Sequence, residues 1–457
     1  MLFRNPPIMK APVLAISTAV ASLAGFLFGY DNIVISGAIG YLSIHYALSP
    51  AGIGWAAGCA LIGCLLGSAT AGSIADSLGL RKALYGCAAC FALSALGVWT
   101  ANSFAGFVAW RILGGVGIGA ASIVAPMYIA EIAPAKLRGR LVVFYQLGIV
   151  FGILAAVYVN MLIRNAGSDS WNAEHGWRWM FAAAGLPAIV LGCNLIFSME
   201  SPRWLMKHGH EWQALQVLSA IKGAEAGAAE VAVIHESLQG ERGGLKELFS
   251  RSLRPALAMG SILAAFSQLS GITALLSFLP QVFLSAGQQG SSAFQQSVLV
   301  GIVNLICTGL AIWLVDRKGR RTLLLAGTGL QTAALASVGT LYLLHGNYLA
   351  ILASIMLFVS GHAIGNGAVC WVIISEIFPT KIRGAAMSIA TTAIWISAYL
   401  ANQFFPLMQK YLGIHGLFFF FAVMALLNFI YILAVVPETK GCSLEQIAAI
   451  WSRLQKI

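Results

Sequence analysis

Long apolar stretches alternate with short polar segments along the whole chain. Each stretch reaches the roughly 20 residues that a helix needs to cross the hydrocarbon of a bilayer, and a helix satisfies every backbone N–H and C=O internally. The pattern is not the alternation of about ten residues that is typical of membrane β-barrel strands. We therefore predict an all-α membrane protein with twelve transmembrane helices, called spans 1 to 12. They fall near residues 11–38, 52–75, 83–101, 105–130, 141–163, 178–198, 256–285, 297–315, 322–344, 349–374, 385–408 and 414–436.

The longest polar stretch, residues 200–254, follows the sixth span. We predict a cytoplasmic linker there, with short amphipathic helices at Trp204–Leu218 and Ala228–Leu238. A segment containing an acid, a proline and an Arg-Gly pair occurs once on each side of this linker. The two copies are Glu131-Ile-Ala-Pro-Ala-Lys-Leu-Arg138-Gly139 and Glu376-Ile-Phe-Pro-Thr-Lys-Ile-Arg383-Gly384. A repeat at half the chain length predicts two pseudo-symmetric six-helix bundles, residues 1–199 and 255–457, with a site between them.

Composition excludes several classes of protein. Of 457 residues, 59% are hydrophobic and 9% are charged, whereas soluble domains carry about 25% charge. A soluble enzyme, a disordered protein and a secreted disulfide scaffold are therefore excluded. The net charge of +11 indicates membrane topology and not nucleic-acid binding: if the N-terminus is cytoplasmic, 23 Lys and Arg lie in cytoplasmic segments and three in outer segments. This bias predicts that both termini are cytoplasmic.

Two charged residues lie within predicted spans. Asp31 is in span 1, and Arg111 opens the glycine-rich span 4. A charge inside the membrane is costly and marks a functional candidate, and pairing the two is the cheapest way to bury both. Protonation of Asp31 would release Arg111, so the pair could form a proton-driven switch. A static structural pair is the alternative.

The repeated acids and bases form a second candidate. In each half, an acid ends one span, a base opens the next, and a further acid and base lie in a nearby loop. Such clusters could latch one conformation and separate in another; the alternative is that they are topology signals and helix ends. The predicted cytoplasmic gate contains Asp76, Arg81, Glu131, Arg138, Asp316, Arg320, Glu376 and Arg383.

Polar and aromatic side chains inside other spans predict a central cavity. Polar groups within a bundle either bond a neighbouring helix or face water, so packing is the alternative for each of them. Donors beside aromatic faces suit a polyhydroxy solute, whose C–H faces stack while its hydroxyls form hydrogen bonds. The candidates are Gln146, Ser267, Gln268, Thr273, Asn304, His362, Asn366, Trp371 and Trp395. No metal-ligand spacing or nucleophile–base set accompanies them, so we expect no metal, no cofactor and no enzymatic activity.

Together these motifs resemble the sugar porters of the major facilitator superfamily from end to end. The segments that carry the resemblance are Gly29-Tyr30-Asp31 with Ser36-Gly37; Gly72, Asp76, Gly79 and Arg81-Lys82; Pro126-Met127-Tyr128 with Glu131 and Arg138-Gly139; Glu200-Ser201-Pro202-Arg203-Trp204; Asp316-Arg317 with Gly319-Arg320-Arg321; Glu376 with Arg383-Gly384; and Pro437-Glu438-Thr439-Lys440-Gly441. The resemblance implies the major facilitator fold.

The resemblance also implies residue roles. Asp31 matches the acid of proton-coupled members, Arg111 matches its partner, and Glu200 matches a cytoplasmic acid linked to coupling and gating. The positions that match the lining of the sugar site are Phe28, Gln146, Gln268, Asn304, Trp371 and Trp395.

The chain departs from the family pattern in spans 7 and 10. Ser267 and Thr273 replace two amides, and His362 replaces an aromatic residue of the pocket wall. Our hypothesis is that hydrogen bonding has moved from span 7 to His362 and Asn366. The ligand would then differ from xylose or glucose in shape or polarity.

These observations predict a secondary transporter in the inner membrane of a bacterium. It would import a small sugar or related polyol with a proton, by alternating access, and we expect a monomer. A uniporter, or an exchanger of a polyol or of an organic acid whose carboxylate meets Arg111, is the alternative. A nutrient receptor of transporter type is a third interpretation, but only residues 437–457 follow the last span.

Overall fold

The computed structural model describes residues 10–134, 137–239, 253–288, 290–378 and 383–440, and those residues contain helices and no strand. The predicted gate side chains of Arg138, Asp316 and Arg383 lie outside this description, as do residues 240–252 of the predicted linker and residues 441–457 of the tail.

The first six spans are formed by the following helices. Span 1 comprises Lys10–Ile33 and Ile35–His45; span 2 is Pro50–Leu78; span 3 is Leu80–Thr100; span 4 is Phe104–Ile132; span 5 is Arg138–Ala166; and span 6 comprises Asp169–Trp171, a π-helical turn Asn172–Gly176, Trp177–Ala182 and Gly185–Ile196. Serine side chains cap the starts of spans 2 and 4: Ser49 accepts a hydrogen bond from the backbone N–H of Gly52, and Ser103 from that of Gly106. These bonds satisfy N–H groups that have no partner within the helix.

The second six spans follow the linker helices. Span 7 comprises Arg254–Leu269, Ile272–Ser277 and Leu279–Ser285; span 8 is Gly290–Lys318; span 9 is Arg320–Leu343; span 10 comprises Tyr348–His362, a π-helical turn Ala363–Gly367 and Ala368–Glu376; and spans 11 and 12 lie within Arg383–Val435. Both span 7 and span 10 are thus interrupted where the sequence predicted uninterrupted helices.

Length and apolar composition mark eleven candidate membrane helices among the described residues. The last of these, Ala386–Val435, has 50 residues, about twice what a bilayer needs. At Gly413 the backbone has φ 69° and ψ 168°, a conformation that breaks the helix and that glycine adopts without strain. This break separates span 11 from span 12, so the predicted number of twelve spans and the boundary between residues 408 and 414 are confirmed.

The linker helices differ from the predicted ones. We expected a single helix at Trp204–Leu218, which is wrong: the structure has Pro202–Lys207 and Glu211–Lys222, because the chain turns between them at Gly209 with φ +78°. The second linker helix was predicted at Ala228–Leu238 and instead covers Ala224–Gln239. We call the end of the bundle that carries these helices the linker end, and the opposite end the far end.

Glycines let the helices of the N-terminal bundle pack at backbone contact. A Cβ at Gly63 of span 2 would lie 2.0 Å from the carbonyl oxygen of Ile112, and one at Gly115 of span 4 would lie 1.9 Å from that of Ala60. Real Cβ atoms cannot approach so closely, so these positions require glycine. Close packing against span 2 is therefore the role of Gly115 in span 4.

The two six-helix bundles approach each other closely toward the far end. A Cβ at Gly54, near the start of span 2, would lie 2.2 Å from the backbone oxygen of Gln403 in span 11. The amide of Gln403 also donates to the carbonyl of Ala51, at 3.1 Å. In the middle of the protein, the rings of Phe28 in span 1 and Trp395 in span 11 have centroids 5.8 Å apart. The far end is thus closed by direct contact between the bundles.

Candidate functional site

Asp31 and Arg111 lie in contact inside the N-terminal bundle. The Nη1 atom of Arg111 donates to Oδ1 of Asp31 at 2.9 Å, and Nη2 donates to the backbone oxygen of Asp31 at 3.0 Å. Both residues are buried. Their remaining polar atoms, Asp31 Oδ2 and Arg111 Nε, have no hydrogen-bond partner. The structure therefore brings together the two intramembrane charges that the sequence singled out, but satisfies the pair only in part.

Aromatic side chains separate this pair from the far end. The guanidinium of Arg111 lies over the ring of Phe181, 5.0 Å from its centroid. Phe181 contacts Phe107 edge to face, and Phe107 in turn contacts Trp177. All three rings are buried. An apolar, cation-binding surface thus covers the charge pair on that side.

Glu200 and its counterpart in the second half, Glu438, bind backbone N–H groups at the first turns of helices. The carboxylate of Glu200 accepts from the backbone N–H of Arg81 at 3.1 Å, at the first turn of span 3. The carboxylate of Glu438 accepts from the backbone N–H groups of Arg320 and Arg321 at 2.9 and 3.1 Å, at the first turn of span 9. A carboxylate is favourable at the positive end of a helix dipole, so each acid ties the segment after the last span of its bundle to the third span of that bundle.

The pKa of Glu438 reflects this position. Partial burial raises its pKa, but hydrogen bonds from four backbone N–H groups lower it by more, so the pKa lies below the usual value of 4.5. The donors are Lys440, Arg320, Arg321 and Thr439.

The gate acids Glu131 and Glu376 have matching partners in the two halves. The hydroxyl of Ser201 donates to Glu131, and the hydroxyl of Thr439 donates to Glu376. Glu376 also binds Nη2 of Arg320 at 3.1 Å. Each acid is thus held by the residue that follows Glu200 or Glu438.

The other described gate residues find different partners. Arg81 donates to the carbonyls of Leu195 and Ile196 at the end of span 6, at 3.0 and 3.1 Å. Its counterpart by position is Arg321, which donates to Leu433 at the end of span 12 at 2.7 Å. Asp76 is exposed and binds Lys207 of the linker at 3.2 Å. Among the predicted gate residues with described side chains, a direct ion pair therefore joins Arg320 and Glu376.

The candidates in span 7 lie around the break in that span. The hydroxyl of Thr273 donates to Oε1 of Gln268 at 2.6 Å, across the interruption that follows Leu269. Ser267 donates to the carbonyl of Ala264 in its own helix at 2.7 Å. Ser267 is thus satisfied locally, whereas the amide nitrogen of half-buried Gln268 remains available.

The remaining candidates from spans 1, 5, 8, 10 and 11 differ in burial. Phe28, Gln146 and Trp371 are half-buried, whereas Asn304 and Trp395 are buried. The indole Nε1 of Trp395 has no partner. A buried donor without a partner is costly, so a hydroxyl or water bound here would lower the free energy of the site.

His362 immediately precedes the π-helical turn of span 10, and Asn366 lies within that turn. The Nδ1 atom of His362 and the Nδ2 atom of Asn366 are buried without partners. The Oδ1 atom of Asn366 accepts from Nδ2 of Asn428 in span 12, at 3.4 Å. Asn428 was not among the residues predicted from the sequence. The signal for it was that it is the only amide side chain in the apolar segment 414–436.

Comparison with known proteins extends this picture. The family model described as "Sugar (and other) transporter" matches residues 17–451. The arabinose-proton symporter of Bacillus subtilis is 36% identical over 446 residues, covering 96% of this chain and 95% of that protein. The D-xylose-proton symporter of Escherichia coli is 37% identical over 468 residues, covering 95% of each. The glucose facilitated diffusion protein of Zymomonas mobilis is 32% identical over 467 residues, covering 96% and 97%.

Solved structures agree with the fold. The inward open conformation of the xylose transporter XylE from E. coli matches with a TM-score of 0.85 and 35% identity, over 96% of this chain and 100% of that one. The structure of the major facilitator superfamily proton:xylose symporter XylE bound to 6-bromo-6-deoxy-D-glucose matches with a TM-score of 0.81 and 35% identity, over 97% and 100%. The twelve spans in two bundles, the repeated motifs and these matches agree: this chain belongs to the sugar porter family of the major facilitator superfamily.

Proposed function

We propose that this protein imports a small sugar or related polyol together with a proton. The observation that carries the proposal is the buried contact between Asp31 and Arg111, at 2.9 Å. An ionised carboxylate is stable there because Arg111 faces it, and a proton on Asp31 removes that attraction. Two of the similar proteins are named as proton symporters, for arabinose and for D-xylose, which supports the same chemistry in this chain.

Alternating access supplies the mechanism. The two bundles, which we assign to residues 1–199 and 255–457 with residues 200–254 as the linker, close the site at the far end through Gly54 and Gln403. The match to an inward open transporter is consistent with a site that opens toward the linker end. In each half, an acid and a hydroxyl tie the segment after the last span to the fourth span of that bundle. The residues of the predicted cytoplasmic gate would hold the linker end in one conformation and separate in the other as the bundles move.

The sugar site would lie between the bundles at mid-depth. Trp395, His362 and Asn366 each have a buried polar atom without a partner, and such atoms can bind the hydroxyl groups of a solute. The aromatic rings of Phe28, Trp371 and Trp395 would pack against the C–H groups of the solute. The proposed lining residues are Phe28, Gln146, Ser267, Gln268, Thr273, Asn304, His362, Asn366, Trp371 and Trp395.

Location and assembly follow from the same proposal. We infer a transporter, and not an enzyme, that lies in the inner membrane of a bacterium as a monomer. The excess of Lys and Arg at the linker end supports cytoplasmic termini.

Uptake measurements test the proposal. The protein, reconstituted in liposomes with an inward proton gradient, is offered labelled L-arabinose, D-xylose, glucose and a panel of polyols. We expect one of these solutes to accumulate above its outside concentration and the gradient of solute to collapse when an uncoupler is added. Equilibration without accumulation would contradict coupling and favour a uniporter, as the name of the Zymomonas relative suggests for that protein. Transport of an organic acid and of no sugar or polyol would contradict the substrate class.

A further inference from the structure

Only one of the two carboxylate oxygens of Asp31 has a hydrogen-bond partner. Oδ1 accepts from Arg111, whereas Oδ2 is buried without a partner. The side chain of Asp31 is only 6% exposed, so bulk water does not supply the missing hydrogen bond. A buried carboxylate oxygen needs a donor when the group is ionised and an acceptor when it carries the proton.

The hydroxyl of Ser94 in span 3 and the unpartnered Oδ2 of Asp31 both lie next to Gly114 of span 4. A Cβ built on Gly114 of span 4 would lie 3.0 Å from Asp31 Oδ2 and 2.5 Å from Ser94 Oγ. The two oxygens are therefore at most about 5.5 Å apart, the sum of those distances, and both face the bare Cα of Gly114. Ser94 itself is 1% exposed. A side chain at position 114 would fill the space between the two oxygens.

The chemistry of a hydroxyl suits both states of Asp31. Arg111 has only donors, so it can bind a carboxylate oxygen but cannot accept a hydrogen bond from the O–H of the protonated acid. A serine hydroxyl can donate to a carboxylate and can accept from a carboxylic acid. Rotation about the Cα–Cβ bond of Ser94 moves Oγ toward or away from Asp31.

We propose that Ser94 is the second hydrogen-bond partner of Asp31 during proton exchange, and that Gly114 keeps the space between them open. Both are positioning residues, because they act through Asp31. When Asp31 carries the proton, the hydroxyl accepts from Oδ2; when the proton has left, the hydroxyl donates to it. The inference rests on the proposed function, since it matters only for a carboxyl group that gains and loses a proton.

Two variants and two matched controls test this inference. Ser94→Ala removes the hydroxyl, and Gly114→Ala fills the space. Ser68→Ala removes a buried hydroxyl that donates to the carbonyl of Leu65 in its own helix. Gly117→Ala places a Cβ 3.0 Å from the side chain of Cys90, against span 3 as at Gly114 but away from Asp31.

Each protein is reconstituted and assayed with whichever sugar of the uptake panel it transports. The first assay measures proton uptake driven by that sugar. The second measures exchange of labelled for unlabelled sugar, which proceeds without net proton movement. We expect Ser94→Ala and Gly114→Ala to lower sugar-driven proton uptake at least fivefold while exchange stays within twofold of wild type, and the controls to change neither rate by more than twofold.

The outcomes separate this inference from the proposed function. If both rates fall together in Ser94→Ala and Gly114→Ala, the residues serve packing and the inference is wrong. If neither rate falls in these variants, the inference is also wrong, although a wild-type protein that takes up protons with sugar still supports symport. If the wild-type protein exchanges sugar but takes up no protons with it, symport and the role of Ser94 are both overturned.

Discussion

Arg111 holds Asp31 at two points, the carboxylate oxygen Oδ1 and the backbone carbonyl oxygen. Only the first of these bonds depends on the charge of Asp31. Protonation therefore weakens one contact and leaves the other, so that Arg111 stays near span 1 while the electrostatic attraction falls. This arrangement allows a change in the charge pair without separating spans 1 and 4.

Arg111→Lys tests the need for two contacts. A lysine ammonium keeps the positive charge but lacks the planar fork that reaches the carboxylate and the carbonyl together. We expect sugar-driven proton uptake to fall at least tenfold, with the protein still inserted in the membrane and monodisperse in detergent. Arg178→Lys is the matched control, because Arg178 binds the carbonyls of Trp99 and Ala101 at the far end and lies away from Asp31. Equal losses in both variants would contradict a specific role for the fork of Arg111.

The lowered pKa of Glu438 leads us to predict that the stability of the protein depends on pH. Because its pKa is lower in the folded protein than in the unfolded chain, its contribution to the free energy of unfolding is present above the unfolded pKa, near 4.5. That contribution is lost as pH falls through the folded pKa. Glu438→Gln should therefore be less stable than wild type at pH 7, by about 1 kcal/mol, because the hydrogen bonds weaken and solvent screens the partly exposed carboxylate.

Thermal unfolding in detergent between pH 7 and pH 3 measures this effect. The difference in melting temperature between wild type and Glu438→Gln should shrink as pH falls, because protonated Glu438 resembles glutamine. The other carboxyl groups titrate alike in the two proteins, so the comparison isolates this one. A difference that stays constant down to pH 3 would show that the Glu438 carboxylate does not stabilise the start of span 9.

Asn428 predicts an effect on affinity from a residue outside the predicted site. Its amide nitrogen binds Oδ1 of Asn366, which orients the free Nδ2 of Asn366. We expect Asn428→Leu to raise KM for the transported sugar about tenfold, the effect of losing roughly 1.4 kcal/mol of binding, with a smaller change in maximal rate. Asn194→Leu is the control, since Asn194 donates to the carbonyl of Val190 in its own helix. An unchanged KM in Asn428→Leu would separate Asn366 from the sugar.

We predict that His362 contributes to the choice of substrate. Its Nδ1 is buried without a partner, and a sugar hydroxyl that binds there would be lost in His362→Phe. We expect the ranking of labelled sugars and polyols in uptake assays to change, with the preferred solute of the wild type losing the most. Identical rankings for wild type and His362→Phe would contradict a role for His362 in recognition.

The sequence predicted the features that depend on local composition. Apolar length fixes the spans, and the rarity of charge within them exposes Asp31 and Arg111. The boundary between spans 11 and 12 was also predicted, between residues 408 and 414, where a short polar segment around Lys410 interrupts the apolar run.

Features that depend on tertiary contact were not predicted. The interruptions of spans 7 and 10 lie in segments whose apolar pattern continues through them. The turn at Gly209 lies in a polar segment that we predicted to be a single helix. Asn428 and Ser94 are single polar residues in long apolar helices, and only packing shows that one binds Asn366 and the other faces Asp31. The carbonyls that Arg81 and Arg321 bind at the ends of spans 6 and 12 likewise became visible only in the structure.

Proton movement in wild type and Asp31→Asn tests the central claim most directly. The proteins are reconstituted in lightly buffered liposomes, and the outside pH is recorded when sugar is added. The account predicts that sugar alkalinises the outside solution with wild type and not with Asp31→Asn, while Asp31→Asn still exchanges labelled for unlabelled sugar, since the carbonyl contact to Arg111 remains. Alkalinisation by Asp31→Asn at the wild-type rate would contradict the assignment of Asp31 as the proton carrier.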